Sequence, residues 1–271
     1  MNRIVFFFIL GITLAGDFFW EEKACISLLE GYHRPENVPL DAWESVQPYL
    51  LPEKSPAFHP LNKLFGSKRI TANKASLREA GFNLTEDQGL HVVVASHTKL
   101  KGYLIKVILD KYDPNAKGGE RDWEHWLKRI EGERVIRQAI AELGYKKYFK
   151  VPRQWIYPLP SGPKCPVRDN YIPKSFILIV EDMRLEPKQT NSQFYRHIGK
   201  KWLNAIYIIT TKYGLSDCCN KHNLPLSRDG KLAFVDTETF YNWPINYHRM
   251  LEFLSTGGKS YWNALRRQNG P

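Results

Sequence analysis

The stretch that decides the fold prediction is residues 217–238, DCCNKHNLPLSRDGKLAFVDTE. A polar loop begins at Asp217 and contains Asn223. It leads through a turn into a short apolar strand that ends on Asp236, with Glu238 two residues later. Phosphoryl transfer requires parts of this kind: one carboxylate orients the attacking hydroxyl, and a carboxylate and an amide hold a metal ion on the phosphates.

Two charged residues upstream suit the same chemistry. Lys106 lies in the apolar strand pattern of residues 103–109, where a lysine either has a charged partner or extends to the sheet edge. Glu133 falls within the apolar stripe of a helix predicted over 122–143, and a carboxylate there requires a cation. Lys106 is the expected partner. Glu131 is the fallback, and a glutamate in water at the stripe edge is the alternative.

The remaining pattern predicts alternating strands and helices. Residues 91–95 and 103–109 predict a hairpin, with a helix after it that Asp122 caps. The further predicted elements are strands over 148–160, 176–181 and 231–235, a second long helix over 192–213 and a helical tail over 245–265.

In this order the segments resemble the protein-kinase-like superfamily. Asp236-Thr237-Glu238 is closer to the D-x-E of choline and aminoglycoside phosphotransferases than to the D-F-G of protein kinases. The resemblance implies a two-lobed α+β fold, with an antiparallel sheet plus one helix in the N-lobe and a small, mostly helical C-lobe. We expect a signal peptide over 1–16 and a Pro- and aromatic-rich extension over 17–90, followed by the N-lobe over 91–182 and the C-lobe over 183–271.

The resemblance also implies the cofactors, ATP and Mg²⁺ or Mn²⁺, and a role for each site residue. The strand and hinge over 176–182 would receive the adenine. The implied residues are Lys106, Glu133 and Glu181 for the nucleotide, Asp217 for catalysis, and Asn223, Asp236 and Glu238 for the metal. The expected function is an exported, atypical phosphotransferase whose hydroxyl acceptor is a protein, a glycan or a small molecule.

Departures from the kinase pattern keep an alternative open. Five residues instead of four separate Asp217 from Asn223. No Gly-rich motif precedes Lys106, and no A-P-E segment follows Glu238. Asn220 and His222 offer further metal or phosphate contacts. The alternative is therefore a pseudokinase, an interaction module with the same fold and no catalysis.

The charge supports a third hypothesis. Lys and Arg number 39 against 28 Asp and Glu, a formal net charge of +11, which attracts phosphates and other polyanions. A basic polyanion-binding protein would use exposed aromatics such as Trp262 beside Arg266 and Arg267. Since no block of five like charges occurs, we do not expect a dedicated nucleic-acid-binding arm.

The N-terminus predicts export. A positive charge at Arg3, an apolar run over 4–14 and the small residues Ala15 and Gly16 have the layout of a cleavable signal peptide. The run is shorter than the ~20 residues that span a bilayer, so no span is expected after cleavage. An uncleaved anchor or a buried strand is the alternative. The expected location is the periplasm, the extracellular space or a secretory lumen.

The cysteine count permits disulfides in an exported chain but does not require them. The four cysteines are Cys25, Cys165, Cys218 and Cys219. Adjacent cysteines rarely bond each other, so any bridge would include Cys25 or Cys165. Four unpaired thiols are the alternative.

Overall fold

The computed structural model describes residues 31–36, 38–85, 92–110, 121–163 and 173–268. The predicted signal segment 1–16, Cys25 and Cys165 lie outside these ranges. Within them, no helix is both long enough and apolar enough to cross a membrane.

Five antiparallel strands form the main sheet, in the order β1-β2-β3-β6-β5. The predicted hairpin over 91–95 and 103–109 is confirmed, because β2 and β3 pair through five residues of each strand. A separate parallel pair joins β4 to β7. The strand bounds are β1 Asn83–Leu84, β2 Val92–Ser96, β3 Tyr103–Ile108, β4 Phe149–Lys150, β5 Gln154–Pro158, β6 Phe176–Glu181 and β7 Leu232–Ala233.

Helices precede and follow the sheet along the described chain, which is therefore an α+β protein, as predicted. Short 3₁₀ turns occupy Gln47–Tyr49 and Ile70–Ala72. The helix bounds are α1 Leu40–Val46, α2 Phe58–Phe65, α3 Lys74–Glu79, α4 Asp122–Glu142, α5 Lys188–Arg196, α6 Lys200–Tyr213, α7 His248–Leu251 and α8 Thr256–Gln268.

Both faces of the sheet are buried by helices. Ile108 and Leu178 pack with Trp126 of α4 and with apolar residues of α1. Ile105 and Ile179, which alternate with them along the strands, pack instead with α2 and α3. The helices of the predicted N-terminal extension therefore bury a sheet face that one helix alone would leave in water.

Helix α4 links the sheet to a third apolar cluster. Its first half carries Trp126 and Ile130 against the sheet, while Ile136 and Ile140 in its second half pack with α6, α8, β4 and β7. Residues in the middle of α4 therefore lie between the sheet and the segment that follows β7. This position brings α4 to the predicted site.

Two predictions about the long helices were wrong, one about continuity and one about an N-cap. The single helix over 192–213 is two helices, because Gly199 has an extended backbone (φ −76°, ψ 156°) and interrupts the hydrogen bonding. The apolar stripe continues across the break and so did not reveal it. Asp122 does not cap α4, whose N-cap residue is Arg121.

Asp122 instead ties the start of α4 to the start of β6. Its Oδ2 accepts hydrogen bonds from the backbone N–H groups of Ser175 and Phe176, each at 2.8 Å. Burial raises the pKa of this carboxyl to about 6, against the opposing effect of those two bonds. A residue predicted to act locally thus makes a contact across more than fifty residues of chain.

Cys218 and Cys219 are buried free thiols. Of the two arrangements that the sequence left open, these residues have the unpaired one. Cys219 donates to the hydroxyl of Thr210 at 3.6 Å, inside the third apolar cluster.

Candidate functional site

Lys106 lies next to the segment Asp236-Thr237-Glu238 that follows β7 (the D-T-E segment), although 129 positions separate the residues that touch. Lys106 Nζ donates to the backbone carbonyl of Val235 at 2.6 Å, next to Asp236. The lysine is 8% exposed. Burial lowers the pKa of its ammonium to about 8; the charge of Arg129 acts in the same direction, whereas Asp236 and Glu238 oppose it.

The predicted ion pair between Lys106 and Glu133 is not the one observed. Glu133 Oε1 accepts from Nε of Arg137 at 2.6 Å, one helical turn further along α4. Burial raises the pKa of the Glu133 carboxyl, although the charge of Arg137 opposes the shift. Glu131, the fallback, is exposed. The sequence placed the correct helix at the site but the wrong residue of that helix.

Arg129 is the α4 residue that reaches the acids of the D-T-E segment. Its Nη1 is 2.8 Å from Oδ1 of Asp236, and its Nη2 is 2.7 Å from Oε2 of Glu238. The side chain is 7% exposed, whereas Asp236 and Glu238 keep 36% and 30% of theirs in solvent. A helical arginine on an apolar stripe is the signal that would have identified this residue.

His125 completes the network around Glu238. Arg129 Nε donates to His125 Nε2 at 3.0 Å, so the neutral ring carries its proton on Nδ1. That nitrogen is 3.3 Å from Oε1 of Glu238. The hydrogen bond from His125 lowers the pKa of Glu238 to about 2, and the charge of Arg129 contributes in the same direction.

The predicted catalytic loop is held by its own asparagines. Asn223 Nδ2 donates to Oδ2 of Asp217 at 2.7 Å and to the Asp217 carbonyl at 2.9 Å. The carbonyl of Asn223 accepts from the backbone N–H of Val235 at 3.1 Å. The loop is thereby bonded to the residue that also receives Lys106, which brings Lys106, Asp217, Asn223 and Asp236 into one region.

Asn220 has a structural role in this loop. It is 1% exposed, and its Oδ1 accepts from the backbone N–H groups of His222 and Asn223 at 2.8 and 3.0 Å. Its Nδ2 donates to the Asp217 carbonyl at 2.8 Å. His222 is exposed and lies edge-on to the ring of Phe253. Asn220 therefore shapes the loop through its side-chain bonds to the backbone.

Sequence reasoning missed Arg249. Its Nη1 forms an ion pair with Oδ1 of Asp217, and their side chains are 42% and 34% exposed. Together with the bond from Asn223, this pair engages both carboxylate oxygens of Asp217. The residue sits in α7, thirty-two positions after its partner, and no local pattern marks it.

Glu181 lies at the end of β6, where the resemblance predicted a hinge. Its Oε2 accepts from the backbone N–H of Arg153 at 3.2 Å, and its own N–H donates to the Arg153 carbonyl at 2.9 Å. In the register of the sheet, Lys106 pairs with Leu178, three residues before Glu181. The carboxylate of Glu181 thus holds a strand end together.

The oxygen donors at the site suit a hard divalent cation in kind. Asp236 and Glu238 supply carboxylates, and Asn223, whose amide nitrogen is bonded to Asp217, supplies an amide oxygen. Within the described residues, no cluster of three or more His, Cys, Asp or Glu side chains has the arrangement of a metal site. The residues that could hold Mg²⁺ or Mn²⁺ here are Asn223 and the two carboxylates, both of which contact Arg129.

The surface around α8 bears on the hypothesis that the protein binds polyanions. Trp262, predicted to be exposed, is fully buried, and its Nε1 donates to the carbonyl of Tyr247 at 2.9 Å. Among the described residues, the exposed aromatics are Tyr241 and Trp243, at 57% and 52%. Trp243 lines an open cavity of about 1160 Å³ with Arg266 and others. None of the residues predicted for phosphoryl transfer lines it.

Compared with known proteins, the chain matches no protein-family model and no curated protein sequence. Its chemistry is therefore argued from the site alone.

Proposed function

We propose that the chain is an exported, atypical kinase-like phosphotransferase that uses ATP and a divalent metal ion on a hydroxyl acceptor. In this proposal β2, β3, β5 and β6 of the main sheet and helix α4 belong to an N-lobe over 91–182. Residues 183–271 form a small C-lobe. The export half of the proposal rests on the apolar N-terminal segment over 4–14.

One observation carries the proposal. A buried lysine from the central strand β3 and the acid that follows the β7 segment lie side by side, because Lys106 Nζ bonds to the carbonyl of Val235 next to Asp236. Phosphoryl transfer requires a protein cation for the phosphates beside a carboxylate for the metal. Burying an ammonium group is costly, and within the described residues Lys106 donates to a backbone carbonyl and has no ion pair, which a phosphate would supply.

The residues would divide the work as follows. Lys106 would neutralise phosphate oxygens, and Asp217 would orient the acceptor hydroxyl. Asn223 and Asp236, with Glu238 assisting, would hold the metal ion, whose charge offsets that on the phosphates. Glu181 would contribute through the backbone of its strand end, where adenine would bind, because its carboxylate is engaged with Arg153.

The test separates binding from transfer. ATP affinity with Mg²⁺ or Mn²⁺ is measured by calorimetry, and γ-phosphoryl transfer is followed to water and to a panel of protein, glycan and small alcohol acceptors. Lys106→Met should weaken ATP binding at least about tenfold. Asp217→Asn should keep ATP affinity and abolish transfer. Lys101→Met, at an exposed lysine in the turn before β3, is the matched control. Unchanged ATP affinity in Lys106→Met would remove the assignment.

A second function, the pseudokinase or interaction module, is favoured by the state of Asp217. Both of its carboxylate oxygens already accept a bond, one from Arg249 and one from Asn223, so an acceptor hydroxyl would share an oxygen with one of them or displace it. If this function holds, the protein transfers no phosphate at any metal concentration, whether or not it binds ATP, and Arg249→Gln does not produce transfer. Turnover by the wild-type protein that Asp217→Asn abolishes would decide for the phosphotransferase.

A further inference from the structure

Arg129 occupies the position between the two acids assigned to the metal. The two ends of its guanidinium bind different carboxylates, Asp236 at 2.8 Å and Glu238 at 2.7 Å. Such two-ended contacts are among the stronger ion pairs because the planar fork fixes both partners. The guanidinium is almost wholly buried, while each acid is about one third exposed.

The arginine is held in place from three directions. Its Nε donates to His125 on the preceding turn of α4 at 3.0 Å. Its backbone carbonyl accepts from the hydroxyl of Thr237, the middle residue of the D-T-E segment, at 2.6 Å. Helix and segment are thus joined at backbone level as well as through the ion pairs. The contact is built into the packing of α4 against this segment.

The side-chain charges around Asp236 and Glu238 sum to about zero, so little net negative charge remains to attract a metal ion. Lys106 and Arg129 bring two positive charges, and Asp236 and Glu238 bring two negative ones. A divalent cation is held mainly by oxygen ligands whose negative charge is not already compensated. A buried guanidinium a few ångströms away repels such an ion in a region of reduced dielectric constant.

We propose that Arg129 is a resident cation that competes with divalent metal ions for Asp236 and Glu238, so that metal binding requires the guanidinium to leave the two carboxylates. The inference rests on the proposed function, which assigns these acids to the metal. It adds a form of regulation: any partner or ligand that draws Arg129 away would load the site with metal.

The experiment measures Mn²⁺ binding directly, by electron paramagnetic resonance of the free ion, on the full chain without nucleotide. Arg129→Gln should bind Mn²⁺ at least about tenfold more tightly than the wild-type protein. Adding Asp236→Asn to that variant should remove the gain, which would locate the ion. Arg134→Gln removes the same charge from an exposed position of α4 and should leave the affinity unchanged.

Each outcome decides the inference. Equal Mn²⁺ affinity in the wild-type and Arg129→Gln proteins overturns it, as does a gain that Asp236→Asn does not remove. If Arg129→Gln does not fold by circular dichroism, thermal unfolding of the wild-type protein decides: about 1 mM Mn²⁺ should leave Tm unchanged, and a rise of several degrees overturns the competition. A gain in Mn²⁺ binding without ATP binding would uphold this inference while the phosphotransferase proposal fails.

Discussion

Gly132 of α4 lies directly against the backbone carbonyl of Thr237, so closely that a Cβ at position 132 would overlap that oxygen and approach the ring of Phe240. Only glycine permits this approach of helix to segment. The contact sets the distance at which Arg129, one turn earlier, meets Asp236 and Glu238.

Gly132→Ala should therefore destabilise the fold and displace the D-T-E segment. We expect the free energy of unfolding to fall by about 2–3 kcal/mol, because the overlapping atom is backbone and cannot rotate away. Urea denaturation measures the change. Gly257→Ala is the matched control, since nothing lies within 4 Å of its Cβ position in α8. Equal effects of the two substitutions would show that the close approach does not constrain α4.

Lys106 should make stability depend on pH in a predictable direction. The folded-state pKa is lowered to about 8 from 10.5, so between these values the unfolded chain binds the proton more tightly. The free energy of unfolding due to this group therefore rises with pH across that window, by at most about 3 kcal/mol. Below pH 8 both states are protonated and the full cost of burying the charge is present.

The measurement compares urea denaturation of the wild-type and Lys106→Met proteins from pH 7.5 to 9.5 (about the lower half of the window). As pH rises, the free energy of unfolding of the wild-type protein should increase relative to that of Lys106→Met. Lys101→Met should follow the wild-type pH dependence. A difference between wild type and Lys106→Met that stays constant over this range would contradict a buried, charged Lys106.

The thiols of Cys218 and Cys219 should be inert in the folded protein. Burial raises the pKa of Cys219 to about 12 and also raises that of Cys218 well above its usual range, so little thiolate forms near neutral pH. In a Cys25→Ser/Cys165→Ser variant, labelling by a chromogenic disulfide reagent should be at least about 100-fold slower than in urea. If fewer than two thiols react when this variant is denatured without reductant, Cys218 and Cys219 are not both free thiols.

Asn220→Ala should destabilise the loop that presents Asp217. The substitution leaves the backbone N–H groups of His222 and Asn223 without their side-chain acceptor in a part-buried loop, at a cost of about 1–3 kcal/mol. Asn204→Ala, at an exposed position of α6, should change stability by less than about 0.5 kcal/mol. Chemical denaturation of both variants provides the comparison. A loss below 1 kcal/mol for Asn220→Ala would mean that other contacts shape the loop.

The sequence alone determined the α+β class, the β2–β3 hairpin, the long helix α4 and the ends of two helices at Gly144 and Gly214. These features follow from local rules: β-branched runs, apolar periodicity, and glycine in a left-handed conformation after the last turn. The resemblance to the protein-kinase-like superfamily also implied that Lys106 and Asp236 would lie in one site, and Lys106 Nζ bonds to the backbone carbonyl that precedes Asp236.

Tertiary structure alone decided which charges pair. Glu133 was expected to bind Lys106, but Arg137 is one turn away on the same helix and forms the pair instead. Arg129 and Arg249 reach Asp236 and Asp217 across 107 and 32 positions of chain. An ion pair depends on side-chain positions to within about an ångström, and these are set by how α4 and α7 pack. Hydrophobic spacing determines which face of a helix is buried, but it does not select which of several arginines on that helix meets an acid.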